Sequence, residues 1–529
     1  MRYSNFNLKT IFALTVAYLS VQGTFSQERY WVFFKDKKGC SLDPYAYFDP
    51  KAIERRSKSG IPLVSETDLP LNSSYINAVE KTCGKILSAS RWMNAVSVNI
   101  GRDKVSLLKR MDFVGEIRPV ARYGQNTLCT HRQQELHGAN LELLQKQVER
   151  MGASLFDQNQ TDGRGIRIAV FDGGFPGVDT HPCFAHLRTD GRIIKTYDFV
   201  RNKENVYSAN AHGTMVLSCI AGIYNNRRMG LATGAEFLLA RTEQSSEPFS
   251  EEENWLAAME WADKNGADII NSSLGYTYHR YFPVQMDGKT SLVVKAAGIA
   301  AKKGILVINA MGNDGDSKWE YLGTPADADS VISVGGINPD TDYHISFSSF
   351  GPTADMRRKP NVSAYGEVIA AKKPGAGKVQ GTSFSTPLVT GFAACAMQIN
   401  PDLDNMHIFR LIEQSGHLYP YYDYAHGYGI PQAQFFFKDT VTVQENIYFE
   451  HADSSIMVKI PENVDLEGDS LSHLLFYHIE NETGALDKYA VIQVNQRNIL
   501  DLPVTGALRN KTLRVHFRGT TIEHKFISE

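Results

Sequence analysis

Three short segments of this chain carry the side chains that acyl transfer to a hydroxyl needs. Ile166-Arg167-Ile168-Ala169-Val170-Phe171-Asp172-Gly173-Gly174 is an apolar run ending in an acid, and Asn210-Ala211-His212-Gly213-Thr214-Met215-Val216 opens an apolar helix with a histidine. Gly381-Thr382-Ser383-Phe384-Ser385-Thr386-Pro387 sets a serine at the start of a run of small and apolar residues. A serine hydroxyl is a poor nucleophile at neutral pH. An imidazole must take its proton and return it to the leaving amine, while a carboxylate holds that imidazole in the useful tautomer. Order and context assign these roles to Ser383, His212 and Asp172. A tetrahedral intermediate also needs donors aimed at its oxyanion. Asn313, in Ala310-Met311-Gly312-Asn313-Asp314-Gly315 after an apolar strand, is the candidate side chain, with the Ser383 amide beside it. Taken singly, each residue has a structural explanation: a capping serine, a satisfied core histidine, a strand-terminal aspartate, a turn asparagine. Together, each at the edge of an expected element, they point to hydrolysis of peptide bonds.

Those motifs resemble the subtilisin-like serine peptidases, the subtilase family, over roughly residues 160–432. Leu239-Ala240-Arg241-Thr242-Glu243, Glu251-Glu252-Glu253-Asn254-Trp255 and Met286-Asp287-Gly288 are similar to a subgroup typical of Bacteroidetes-type bacteria. The resemblance implies a secreted endopeptidase acting on unfolded or flexible polypeptide, with no cofactor required. Structural calcium is common in the family, but no acid-rich ligand loop stands out here. Ser272-Ser273-Leu274-Gly275 resembles the segment that pairs with substrate by strand addition, which implies substrate-binding roles for Ser273, Leu274 and Gly275. Met311 and Gly312 would border the first side-chain pocket. Met311 replaces a small residue common there, so a narrowed or reshaped pocket is expected. Met215 stands where many relatives carry a second histidine, and Asn361 where aspartate often follows Lys-Pro.

The elements that must position these groups are legible as alternating strands and helices. Apolar strands are expected at 236–240, 268–271, 305–309 and 331–334, with helices at about 131–152, 251–264 and 290–303. Short, nearly continuous apolar strands are those of a parallel sheet covered on both faces, which presents reactive groups at its carboxyl edge. The expected fold class is α/β: a subtilisin-like parallel sheet flanked by helices over 122–437, a small N-terminal α/β propeptide-like domain over 27–121, and a C-terminal β-sandwich over 438–529. In the first of the smaller domains, Arg29–Phe34 and Trp92–Val98 read as strands, and Asp43–Ser57 as a helix. In the last, strands are expected at 441–443, 456–460, 474–478, 490–494 and 512–517. By resemblance the N-terminal unit acts as intramolecular chaperone and inhibitor, with processing near Arg118 to Tyr123.

Length and composition bound the rest. At 529 residues the chain exceeds one compact core, and its 43% apolar and 21% charged content is that of a globular protein. A net charge of -3 gives no electrostatic reason to expect nucleic acid. Residues 1–26 read as a signal peptide, with Arg2 and Lys9 before the apolar Thr10–Val21 and small residues at Thr24 and Ser26. That run is too short to span a bilayer. Export to the medium or the cell envelope, as a monomeric zymogen, follows as the expectation. Cys40 with Cys83 is a plausible disulfide within one unit, whereas Cys219 and Cys395 sit in apolar helical runs as buried thiols. Glu243, Glu247, Glu251, Glu252 and Glu253 form an acidic cluster, read as a solvated helix start with a preference for basic substrates as the weaker alternative. The rival to a peptidase is a catalytically inactive peptide-binding or adhesive envelope protein on the same core.

Overall fold

The computed structural model describes residues 28–120, 138–244, 250–277, 280–373, 375–437, 446–452, 455–466 and 473–527. They group into two compact units, one within residues 1–42 and 64–121, the other within 43–63 and 122–529. The apolar leader, Cys129, Glu247, the strand expected at 441–443 and the end of the expected processing segment lie outside the described residues.

The first unit is an antiparallel sheet in the order β2-β3-β1-β4, built from β1 (Glu28–Phe34), β2 (Ile86–Ser90), β3 (Ala95–Ile100) and β4 (Val114–Pro119). Alternate residues point to one face. Tyr30, Val32 and Phe34 on β1 join Val96, Val98 and Ile100 on β3 to form the core, which the helices Ser73–Cys83 and Arg102–Lys109 cover. The disulfide expected between Cys40 and Cys83 is not formed. Cys83 ends a helix and packs into that apolar cluster, where burial raises its thiol pKa, while Cys40 follows the turn at Lys38-Gly39.

The helix expected over 43–57 is two helices, α1 (Pro44–Tyr47) and α2 (Pro50–Lys58). A residue before proline is pushed out of helical geometry, and Asp49 is extended, with its side chain accepting the Lys51 amide. Both helices belong to the second unit rather than the first.

The second unit holds a seven-stranded parallel sheet. Its strands are β5 (Arg167–Asp172), β6 (Ile193–Asp198), β7 (Glu236–Arg241), β8 (Ile269–Ser272), β9 (Leu306–Ala310), β10 (Val331–Ile337) and β11 (Val362–Tyr365), in the order β11-β10-β9-β8-β5-β7-β6. Every residue of β5, β8, β9, β10 and β11 is buried, as a sheet covered on both faces requires. Ile168 and Val170 pack with α3 (His212–Ala221), while Phe171 on the opposite face meets the ring of Trp255 on α4 (Ser250–Lys264). A further helix, α5 (Leu292–Lys302), packs against α4, and α6 (Thr382–Ile399) packs against α3. Pro387 lies in the second turn of α6, one turn deeper than an N-terminal proline, so the amide that would pair with the Ser383 carbonyl is missing.

The C-terminal region is strand-rich. A three-stranded sheet of β12 (Tyr448–His451), β13 (Ser455–Lys459) and β16 (Asn498–Pro503) and a four-stranded sheet of β14 (Leu474–Glu480), β15 (Leu486–Gln493), β17 (Thr512–Phe517) and β18 (Thr520–Lys525) are both antiparallel. One apolar cluster, including Ile456, Val458, Leu475, Leu513, Val515 and Phe517, draws on both. Leu474 and Phe476 pack with Leu418 and Tyr421, and Arg358 pairs with Glu480 at 3.0 Å.

Candidate active site

Asp172 is the last residue of β5, buried to 1% exposure, and its Oδ1 accepts the Gly173 amide at 2.7 Å. His212 opens α3, its own amide held at 2.9 Å by Asn210 Oδ1. The imidazole Nδ1 stands 2.9 Å from each carboxylate oxygen of Asp172. An ionised carboxylate only accepts, so Nδ1 carries the proton and Nε2 is left as the basic nitrogen. Such close approach needs a glycine next in line: a Cβ on Gly213 would lie 2.5 Å from the Gly174 carbonyl oxygen and 2.8 Å from Asp172 Cβ. Burial alone would lower the His212 pKa, but the charge and hydrogen bond of Asp172 outweigh it and raise it above the ordinary value.

The helix carrying Ser383, α6, packs against α3. Phe384, the next residue, sets its ring 5.3 Å from the His212 ring. Ser383 Oγ donates to the Ser273 carbonyl at 3.1 Å, so in this rotamer its hydrogen bond goes to the segment after β8 rather than to His212. Catalytic hydrogen bonds are often formed only when substrate is present, and a χ1 rotation redirects a hydroxyl.

Asn313 is exposed at the end of the turn after β9. Its Oδ1 accepts the Thr382 amide at 2.9 Å and lies 3.0 Å from the Thr382 hydroxyl, whose single proton is shared with the Gly312 carbonyl at 3.1 Å. With the oxygen facing Thr382, the Nδ2 group is directed away from it. Nothing in the single sequence marked Thr382 for this task beyond its place before the serine.

Ser273 is buried, Leu274 half-buried and Gly275 exposed, and Asn309 Nδ2 fixes the Leu274 carbonyl at 2.8 Å. Tyr276 and Thr324 exchange antiparallel backbone bonds at 2.9 and 3.1 Å. Met311 is fully buried in a cluster with Leu322 and Ala326, and the Gly312 amide donates to Thr382 Oγ1 at 3.3 Å. The residues expected at the site are therefore gathered along the carboxyl ends of β5, β8 and β9 and the starts of α3 and α6. Met215 is buried packing in α3. Asn361 is a buried junction whose Oδ1 accepts from Lys359 Nζ at 2.9 Å and from the Ser333 amide at 2.9 Å.

The acidic cluster is not a solvated helix start. Glu251 and Glu253 are buried. Arg280 pairs with Glu251 at 2.9 Å and Glu252 at 3.4 Å, and the Tyr281 hydroxyl donates to Glu252 at 2.6 Å. Arg280 also lies over the Tyr276 ring at 4.3 Å. Glu251 and Glu252 are thus engaged locally. Among the described residues no group of three or more His, Cys, Asp or Glu side chains is arranged to hold a metal ion, and no helix is long and apolar enough to cross a membrane.

Residues 163–429 match the model of the subtilase family, peptidase family S8, and the chain belongs to that family of serine peptidases. Residues 29–135 match a model described as the peptidase S8 propeptide domain of Bacteroidota. The chain is 28% identical over 264 residues to M-protease of Shouchella clausii strain KSM-K16, covering 49% of this chain and 61% of that protein. It is 29% identical over 264 residues to Subtilisin BL of Lederbergia lenta, covering 49% of this chain and 87% of that one. With Subtilisin E of Bacillus subtilis strain 168 it shares 27% identity over 345 residues, 64% of this chain and 80% of the relative.

Proposed function

We propose that this protein is a serine endopeptidase working through Asp172, His212 and Ser383, with Asn313 and the Ser383 amide as oxyanion donors. The observation that carries the reading is the two-oxygen grip of Asp172 on His212 Nδ1, at 2.9 Å to each oxygen, on a histidine whose ring abuts the residue after Ser383. Ser383 Oγ attacks the scissile carbonyl carbon while His212 Nε2 takes its proton, and Asp172 stays ionised beside the imidazolium. His212 then protonates the leaving amine, and water resolves the acyl-enzyme by the same steps in reverse order of proton transfer. The developing oxyanion receives the Asn313 Nδ2 group and the Ser383 N–H.

The substrate is an extended polypeptide that adds a strand along Ser273, Leu274 and Gly275, with Met311 and Gly312 at the first side-chain pocket. No cofactor takes part in these steps. The N-terminal unit serves as chaperone and inhibitor until processing, and the leader over 1–26 directs export to the medium or the envelope. A fluorophosphonate probe should label Ser383 covalently in the purified protein, and His212→Ala should abolish labelling. A folded protein that leaves the probe unreacted, whatever stands at position 212, would support the inactive peptide-binding alternative instead.

A further inference from the structure

Asp172, Arg241 and Asp198 are the last residues of β5, β7 and β6, and the strand register sets them side by side across the sheet. Neighbours in register present their side chains to one face, here the face where Val170 and Leu239 join the cluster that includes Val216 and Ile220 of α3. All three polar side chains are buried. A guanidinium therefore stands between two acids. Arg241 Nη1 meets Asp198 Oδ2 at 3.0 Å, while both oxygens of Asp172 face His212 Nδ1.

Arg241 uses its Nε for a second contact. It donates at 3.0 Å to the carbonyl of Gly173, the residue directly after Asp172. The Gly173 amide in turn donates to Asp172 Oδ1 at 2.7 Å, and the Thr242 amide donates to the Asp172 carbonyl at 2.9 Å. Asp198 is itself fixed: its Oδ1 accepts the Val200 and Arg201 amides at 3.0 and 2.9 Å, which leaves Oδ2 for Arg241. A buried guanidinium needs such a counter-charge. The Gly173-Gly174 turn also touches the segment that leads to His212. A Cβ on Gly174 would lie 2.2 Å from the Ser208 carbonyl oxygen, and one on Gly173 would lie 3.1 Å from Asn210 Cβ. The Phe175 amide donates to the Val206 carbonyl at 2.9 Å. A shift of the Gly173 peptide therefore moves the acid relative to the imidazole, and hydrogen bonds weaken steeply when they leave alignment.

We propose that Arg241, braced by Asp198, is a positioning residue for the Asp172–His212 pair: by holding the Gly173 carbonyl it fixes the turn that aims the Asp172 carboxylate at Nδ1. The inference rests on the peptidase reading above. Arg241 acts through Asp172 rather than on substrate, so its loss lowers turnover and leaves KM in place.

The test compares two side chains of equal length at position 241, in full chains that also carry Asp198→Asn so that no buried carboxylate loses its partner. Arg241→Gln places an N–H donor at the bonded position of the arginine Nε, and Arg241→Met places a methyl there. Hydrolysis of a chromogenic peptide should give a kcat about fivefold higher for the glutamine chain, with equal KM. In chains that also carry Asp172→Asn that ratio should fall to about one, because the residue acted upon has lost its charge. Arg241→Lys with Asp198 intact covers the case in which the neutral pairs fail to fold. It keeps the ion pair but sets a methylene where Nε stood, so kcat should fall about fivefold while Tm holds. Equal kcat for the glutamine and methionine chains, an unchanged ratio in the Asp172→Asn background, or wild-type turnover in the Arg241→Lys chain overturns the proposal. Failure of the peptidase reading looks different: the wild-type chain would leave a fluorophosphonate probe unreacted and would show no turnover to compare.

Discussion

The Thr382 hydroxyl offers a measurable test of how Asn313, the proposed oxyanion donor, is held. Thr382 is fully buried; its amide donates to Asn313 Oδ1 at 2.9 Å, and its hydroxyl shares one proton between Asn313 Oδ1 at 3.0 Å and the Gly312 carbonyl at 3.1 Å. Thr382→Val keeps the shape and the amide but deletes one of the two donors. A neutral hydrogen bond of this kind contributes about 1 kcal/mol net, and loosening the amide by that amount should lower kcat about fivefold. KM should hold, since the oxyanion exists only in the transition state. Asn313→Ala removes the proposed oxyanion donor itself, a loss that in subtilisin costs roughly 3–4 kcal/mol, so kcat should fall by about two to three orders of magnitude. The discriminating measurement is the double variant. If Thr382 acts through Asn313, Thr382→Val should cost nothing further in the Asn313→Ala background. Steady-state hydrolysis of a chromogenic peptide gives kcat and KM separately, and thermal unfolding reports any loss from the Gly312 contacts of the same hydroxyl. An equal fold-loss from Thr382→Val in both backgrounds would refute the positioning argument.

Two further predictions concern protons. The His212 pKa is pulled down by burial but raised overall by Asp172, so kcat/KM should fall as pH drops through that raised value. Asp172→Asn leaves burial without the compensating charge: the inflection should move to lower pH and kcat should drop by about 10⁴, and an unmoved inflection in the pH–rate profile would contradict this. Asp327 is fully buried, with Oδ2 accepting the Gly288 amide at 2.8 Å, and burial pushes its pKa up to about 6. The folded chain therefore holds this proton to higher pH than the unfolded chain does. The stability it contributes is complete below about pH 4 and is lost as pH rises through about 6, a span of up to about 3 kcal/mol. Asp327→Asn should flatten urea-unfolding free energies between those pH values in the Ser383→Ala background and raise stability at pH 8. Parallel pH slopes for the two proteins would count against it.

The strands that end at the proposed chemistry were readable because a parallel sheet covered on both faces leaves no polar alternation. Runs such as Ile168–Phe171 and Leu306–Ile308 are apolar throughout, and the polar residue that ends each run marks the carboxyl edge. What the chain could not declare is which charges meet. Glu251 and Glu252 are adjacent acids at a helix start, a pattern that ordinarily faces water. Their partner Arg280 follows β8 in the chain, and its two ion pairs turn an apparent acidic patch into a local network. The same blindness hid the setting of residues 43–63. Asp43–Ser57 reads as a charged helix of the N-terminal unit, but Arg55 and Arg56 pair with Asp263, more than two hundred residues away. Thr382 and Asn313 are likewise joined across 69 positions by a hydrogen bond that neither residue type requires. Hydrophobic period is a local property and survives in one dimension. Charge pairing and hydrogen-bond orientation are fixed only when distant segments close on each other, because a buried polar group is tolerable only with its particular partner present. The residues proposed for acyl transfer escaped this limit for a different reason: each stands where a strand or helix ends, and such ends can be located from local signals before any long-range contact is known.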